Sequence, residues 1–174
     1  MRWFLNKLFG WIARKPPRLI CDAALWKQGV SELGRRTKGQ SQESGAYLLG
    51  IDAGARTKRI LEFIFYDDID PHALDTGEVT IRQTALPKLW EYCRQQGYGV
   101  VADVHVHPGG YRQSPSDQAN PVMPRAGHIA MILPYFAAGT PVPGSIGIYE
   151  YCGGTAWHDH SVKGTGFVRL EGEL

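Results

Sequence analysis

Several features are scarce or missing from these 174 residues. Cysteine occurs three times, at positions 21, 93 and 152, with no regular spacing. That argues against a disulfide framework and for a reducing compartment, the cytoplasm. A thiol nucleophile is available on paper, but none of the three cysteines has a glycine-rich elbow or a neighbouring base, and Cys93 sits within a helical pattern. Internal repeats and low-complexity tracts are also missing, and the chain is long enough to bury a hydrophobic core as one domain with an appendage.

Acid is missing from the first eighteen residues. They hold Arg2, Lys7, Arg14, Lys15 and Arg18, five positive charges that leave the remainder with a net three negative. The basic residues do not extend onto the domain, so nothing favours nucleic acid as a partner. Charges interrupt the apolar part and no small-residue cleavage site follows, so a secretory signal is not expected. The stretch is also too short and too charged to span a bilayer. At 100° per residue, Phe4, Leu5, Leu8, Phe9, Trp11 and Ile12 fall on one arc, with Asn6, Lys7 and Arg14 opposite. Pro16 and Pro17 then stop the pattern. The expectation is a basic amphipathic helix over 1–16. It could pack on the domain or on a second copy, dock on a protein partner, or lie on a membrane surface.

What is present is concentrated between Val101 and Asp117. Residues 98–106 are rich in β-branched side chains and read as a buried strand ending at Pro108. Side chains two apart on a strand share a face, so His105 and His107 can converge on one ion at its C-terminal end. Gly109 and Gly110 let the chain reverse and bring Asp117 back. Two imidazoles and a carboxylate are the three protein ligands of a catalytic zinc site, whose fourth position is left for water. A His-x-His pair on a strand is also common without a metal. Ser114-Pro115-Ser116-Asp117 reads equally well as a helix start, with Ser114 the N-cap, Pro115 in the first turn and Asp117 near the positive end of the dipole. Capping and ligation are compatible, because a capped helix fixes the direction of the carboxylate.

Glu43 stands in a polar, flexible-looking stretch, 38–45, where a solvated loop residue is the plain reading. The apolar run Ala46–Ile51 directly after it reads as a buried strand with Glu43 at its mouth. A carboxylate beside the ion could carry protons between water and a leaving amine, and Ser114 could donate to a developing oxyanion. Asp103 shares the face of His105 and could orient an imidazole, but reads more simply as a polar residue outside the site. His158-Asp159-His160 is a second His-x-His without a carboxylate at a following helix start, so a solvated strand is expected. His128 reads as a satisfied core or edge histidine, and His72 as a turn residue.

The combination Glu43, His105-Val106-His107-Pro108 and Ser114-Pro115-Ser116-Asp117 resembles the JAMM (MPN-plus) metalloisopeptidases, over roughly residues 19–151. The loop from His107 to Ser114 is one residue shorter than the family's commonest spacing. The resemblance implies a JAMM/MPN-like (cytidine-deaminase-like) fold for 17–174, a curved, mixed but largely antiparallel sheet flanked by helices. It also implies one zinc ion on His105, His107 and Asp117, catalysis by Glu43 and Ser114, and a ubiquitin-like protein or its conjugates as substrate and partner. The activity implied is cleavage after the C-terminal glycine of that protein, or processing of a small sulfur carrier; a noncatalytic scaffold that binds protein partners is the reading from another class.

Periodicity alone gives an α/β class. It predicts strands at 18–21, 45–51, 59–66, 98–106, 127–133, 145–151, 154–159 and 166–170. Helices are predicted over 23–36, with Leu25, Trp26, Val30 and Leu33 apolar, and over 86–96, with Leu86, Leu89, Trp90 and Cys93 on one face and Gly97 as the stop. The stretch 67–77 reads as turns.

Overall fold

Strand alternation sets the layers. In β2 (Gly45–Asp52) Ala46 and Leu48 point to one face of the sheet while Tyr47 and Leu49 point to the other, and both sets are buried. A strand covered on both faces needs a helix layer on each side. The computed structural model describes residues 15–173. The helix expected over 1–16 falls outside them except for Lys15 and Pro16, which are not helical.

One layer is α1 (Ala23–Arg36). Asp22 caps it, its Oδ1 accepting from the amides of Ala24 and Leu25 at 2.9 and 3.0 Å. Trp26, Val30 and Leu33 recur at helical spacing and are fully buried on the sheet face that carries Ala46, Leu48, Val104 and Val106. Gly29 is required there, because a Cβ would fall 2.5 Å from the Phe63 ring. The opposite layer contains α2 (Tyr66–Ile69) and α3 (Leu86–Gln96). Leu89 and Cys93 of α3 are buried with Tyr47, Leu49 and Tyr66, and Gly97 ends the helix at φ 71°. The predicted apolar face is narrower than expected, since Trp90 remains 42% exposed. The turn-rich stretch after Phe65 opens with the single turn of α2.

Eight strands form one mixed sheet in the order β7-β6-β5-β4-β2-β3-β1-β8. Besides β2 these are β1 (Leu19–Asp22), β3 (Lys58–Phe65), β4 (Gly99–Val106), β5 (Ile129–Leu133), β6 (Gly147–Gly153), β7 (Ala156–Asp159) and β8 (Val168–Glu171). β1 is parallel to both β3 and β8, and β4 to β5. The other four pairings are antiparallel. The predicted strand bounds shift by one or two residues, and both long helices fall where expected.

The sheet is curled. Arg18 at the start of β1 lies 3.6 Å from Glu150 on β6, although five strand spacings, roughly 24 Å in a flat sheet, separate the two strands. The same closure buries His160, expected to be solvated. Its Nε2 donates to Glu150 at 2.8 Å, Lys163 donates to its Nδ1 at 2.7 Å, and its ring stacks on Phe167. His158 stays exposed. Among the described residues no helix is long and apolar enough to cross a membrane.

Candidate metal centre

The C-terminal end of β4 carries the imidazole pair. Val104 and Val106 face α1, which turns Asp103 and His105 to the other side. The amide of His107 donates to Leu133 at 2.9 Å, extending the pairing with β5 past the end of the strand, so His107 follows His105 onto the same side. The two Nε2 atoms are 2.9 Å apart and both residues are more than nine-tenths buried.

The antiparallel register of β2 and β4 brings in Glu43. Gly45 pairs with His105, and the Val106 amide donates to the Ser44 carbonyl at 2.9 Å. Glu43 therefore lies opposite His107 one step further on. Gly45 is fixed by packing, since a Cβ there would be 2.2 Å from the Tyr66 ring. The Glu43 amide donates to Gly77, in a segment tied down by Arg82, whose guanidinium and amide both bond the fully buried Asp70.

Asp117 returns on α4 (Pro115–Ala119), closing a capping box with Ser114. The Ser114 amide donates to Oδ2 of Asp117 at 2.6 Å, and the Asp117 amide to Oγ of Ser114 at 3.1 Å. Both carboxylate oxygens also reach the imidazoles: Oδ1 is 3.4 Å from His105 Nε2, and Oδ2 is 3.2 Å from His107 Nε2. The Nε2–Nε2 separation of 2.9 Å and the contacts of 3.4 and 3.2 Å, one to each Asp117 oxygen, are close to the ~3.3 Å that separates ligands set about 2.0–2.1 Å from a tetrahedral centre. Glu43, His105 and His107 also present donor atoms within 4.8 Å of one another, a group that could hold a metal ion. Two carboxylates thus border one imidazole pair, and the chemistry depends on which of them ligates.

The electrostatics separate the two carboxylates. Burial pushes the Glu43 carboxyl above its ordinary value, against the opposing pull of His105 and His107. Burial acts the same way on Asp117, but the hydrogen bonds from His105 and His107 overcome it and hold that carboxyl far below the carboxylate range. His105 is raised in turn, burial being outweighed by its bond to Asp117.

All five residues singled out in the sequence, Glu43, His105, His107, Ser114 and Asp117, line one cleft of about 850 Å³. Asp103 does orient an imidazole, but that of His128. It is buried, accepting from Tyr66 Oη at 3.0 Å and from His128 Nε2 at 2.5 Å. His128 is satisfied on that side alone, as its buried Nδ1 has no partner. Around His158 and His160 no group of three ligand-type residues forms among the described residues. Burial pushes the Cys21 thiol up to about 12 and raises Cys93, and no cysteine lines the cleft.

Sequence reasoning missed the cleft's aromatic rim. Tyr111 and Tyr135 line it, Tyr135 being 63% exposed. Tyr135 begins a turn of three non-glycine residues in the left-handed region, with φ of 52°, 53° and 62° through Ala137. Such a run costs roughly 1–2 kcal/mol per residue and carries no compositional signature. It is held by hydrogen bonds that the Tyr135 amide donates to the Gly109 carbonyl and the Phe136 amide to the His107 carbonyl, both 2.8 Å.

No protein-family model matches the chain. The solution structure of protein DSY2949 from Desulfitobacterium hafniense superposes with a TM-score of 0.65 at 13% identity, covering 90% of this chain and 94% of that one. The solution structure of a protein from Salinibacter ruber gives a TM-score of 0.54 at 16% identity, covering 88% and 93%. At such low identity these likenesses concern the fold alone: the chain is similar in its mixed α/β architecture to both proteins.

Proposed function

We propose that the chain is a zinc-dependent peptidase or isopeptidase of the JAMM (MPN-plus) type, cleaving the amide bond after the C-terminal glycine of a ubiquitin-like protein. The observation that carries the zinc reading is the convergence of the His105 and His107 Nε2 atoms with a carboxylate oxygen of Asp117 beside each, at separations close to those between ligands of a small tetrahedral ion, and with Glu43 as a second carboxylate next to the imidazole pair. The ubiquitin-like substrate rests on the motif resemblance, with which the mixed α/β fold is compatible.

His105, His107 and Asp117 would hold the ion. Bound there, zinc would supply a water acidified towards a pKa of ~7 and a Lewis acid for a carbonyl oxygen. Asp117 suits ligation because it stays ionised and contacts both imidazoles. Glu43 suits proton transfer, since a half-buried carboxyl with a raised pKa accepts a proton from water and returns it to the leaving amine more readily than an ordinary carboxylate. Ser114 Oγ already accepts the Asp117 amide, so its own proton remains free to donate to the carbonyl oxygen under attack.

The test is elemental analysis of the purified chain, together with cleavage of a ubiquitin-like protein extended beyond its C-terminal Gly-Gly. Zinc should be lost in His107→Ala and kept in His160→Ala. Glu43→Gln should keep the ion and lose cleavage by roughly 10²–10⁴-fold. Loss of zinc from Glu43→Gln would make Glu43 a ligand, cleavage equal to that of the unaltered chain would remove Glu43 from the catalytic role, and no cleavage by the zinc-loaded unaltered chain would leave a scaffold.

A further inference from the structure

The segment that carries Ser114 and Asp117 back to the imidazoles lies across the face of the β6–β7 hairpin. Cross-strand registers show this directly. His105 pairs with Ile132 and Ile132 with Gly147, so Gly147 stands in the same row as His105, two strands away. The next row runs from Asp103 through Ala130 to Tyr149. Tyr151, two further along, pairs with Trp157 on β7. Gly147, Tyr149, Tyr151 and Trp157 therefore share the face that bears His105.

Three contacts join this face to the returning segment. A Cβ at position 147 would fall 2.3 Å from the Tyr111 carbonyl oxygen, so glycine there lets the segment lie against the sheet. Tyr149 Oη donates to that same carbonyl at 3.0 Å. Trp157 Nε1 donates to the carbonyl of Gln118 at 3.2 Å, the residue next to Asp117. Helix α4 has five residues and cannot hold itself in place by its own hydrogen bonds. The capping box fixes its first turn, and the indole fixes where that turn sits. The indole is itself fixed, packed 5.0 Å from the ring of Tyr151, whose hydroxyl donates to Gly154.

We infer that Tyr149 and Trp157 are positioning residues for Asp117, holding its carboxylate at the distance from His105 and His107 that a tetrahedral cation requires. The inference rests on the metal reading proposed above. Neither residue touches the cleft's reacting region; both act through the backbone of 111–118. Outer partners that orient metal ligands typically contribute 10–100-fold in metal affinity.

The experiment measures the zinc dissociation constant of the full chain by competition with a chromogenic chelator, and records the visible spectrum of its cobalt(II) form. Tyr149→Phe and Trp157→Phe keep an aromatic ring in place and remove the donor. Each should weaken zinc roughly tenfold or more and alter the cobalt spectrum. Tyr151→Phe, which removes a bond within the hairpin but none to the segment, should leave both readings unchanged. Thermal unfolding of the metal-free variants shows whether Tyr149→Phe and Trp157→Phe are folded as well as Tyr151→Phe. Unchanged affinity and spectrum in both variants, or equal weakening in Tyr151→Phe, overturns the positioning role while leaving the metal reading intact. Failure of the unaltered chain to bind zinc removes both.

Discussion

The Ser114 hydroxyl caps a helix and carries a proposed role in turnover, and substitution can separate the two. Its oxygen caps α4 by accepting the Asp117 amide, and the residue lines the cleft. Ser114→Ala should lose about 1 kcal/mol of stability with the cap as well as turnover. Ser114→Gly should lose only a few tenths of a kcal/mol, because glycine is nearly as good at the N-cap, yet still lower kcat by roughly 10²–10³-fold. Urea unfolding beside steady-state cleavage of the extended ubiquitin-like substrate measures both, and unchanged turnover in Ser114→Gly would confine Ser114 to capping. The residues around this hydroxyl were legible in the sequence because their relation is local: His105 and His107 share a strand face, and Ser114 and Asp117 share a helix start. Asp103 and His160 were not. Their partners, Tyr66 and His128 for one and Glu150 and Phe167 for the other, are brought by strand pairing and sheet curvature, which leave no spacing to read.

Helices α1 and α3 were legible as elements because apolar periodicity marks both and a terminal glycine stops α3. The left-handed turn after β5 was not, since its bonds to the distant His107 and Gly109 carbonyls have no counterpart in local sequence. Helix α1 also carries a pH-sensitive tie to the opposite layer. Glu32 bonds Arg35 and Arg36, and Arg36 reaches on to Asp67 and Asp68 in α2. The Arg35 bond, against some burial and helped by Arg36, holds the Glu32 carboxyl at about 2, below its ordinary 4.5. Because the folded-state value is the lower one, the unfolded chain binds more protons between the two. The stabilisation is complete above about pH 4.5 and fades as pH falls towards about 2. Urea midpoints of the unaltered chain and Glu32→Gln should therefore differ near neutral pH and converge towards about pH 2. Because Glu32 is about a quarter exposed, added salt should narrow the gap. A gap independent of pH would remove the ionic account.

For the molecule as a whole, the order of elements was legible and the order of strands was not. Nothing local in Leu19-Ile20-Cys21 announces that β1 sits between β3 and β8, or that the sheet bends until Arg18 meets Glu150. That placement has a consequence for how the chain is made. The strands beneath the imidazoles, β2, β4 and β5, all lie within residues 45–133 and can pair while the ribosome is still adding the C-terminal strands. β1 can meet β3 early, but its pairing with β8 must wait for residues 168–171. Pairings so distant along the chain form slowly, because loop closure precedes any reward from contact. Pulse-labelled hydrogen exchange during refolding should find amides of 100–106 protected before those of 168–171, and simultaneous protection would mean the molecule closes in one step. On the nascent chain, the strands that carry and flank the imidazole pair can assemble first, and the edge strand β8 joins the curled sheet last.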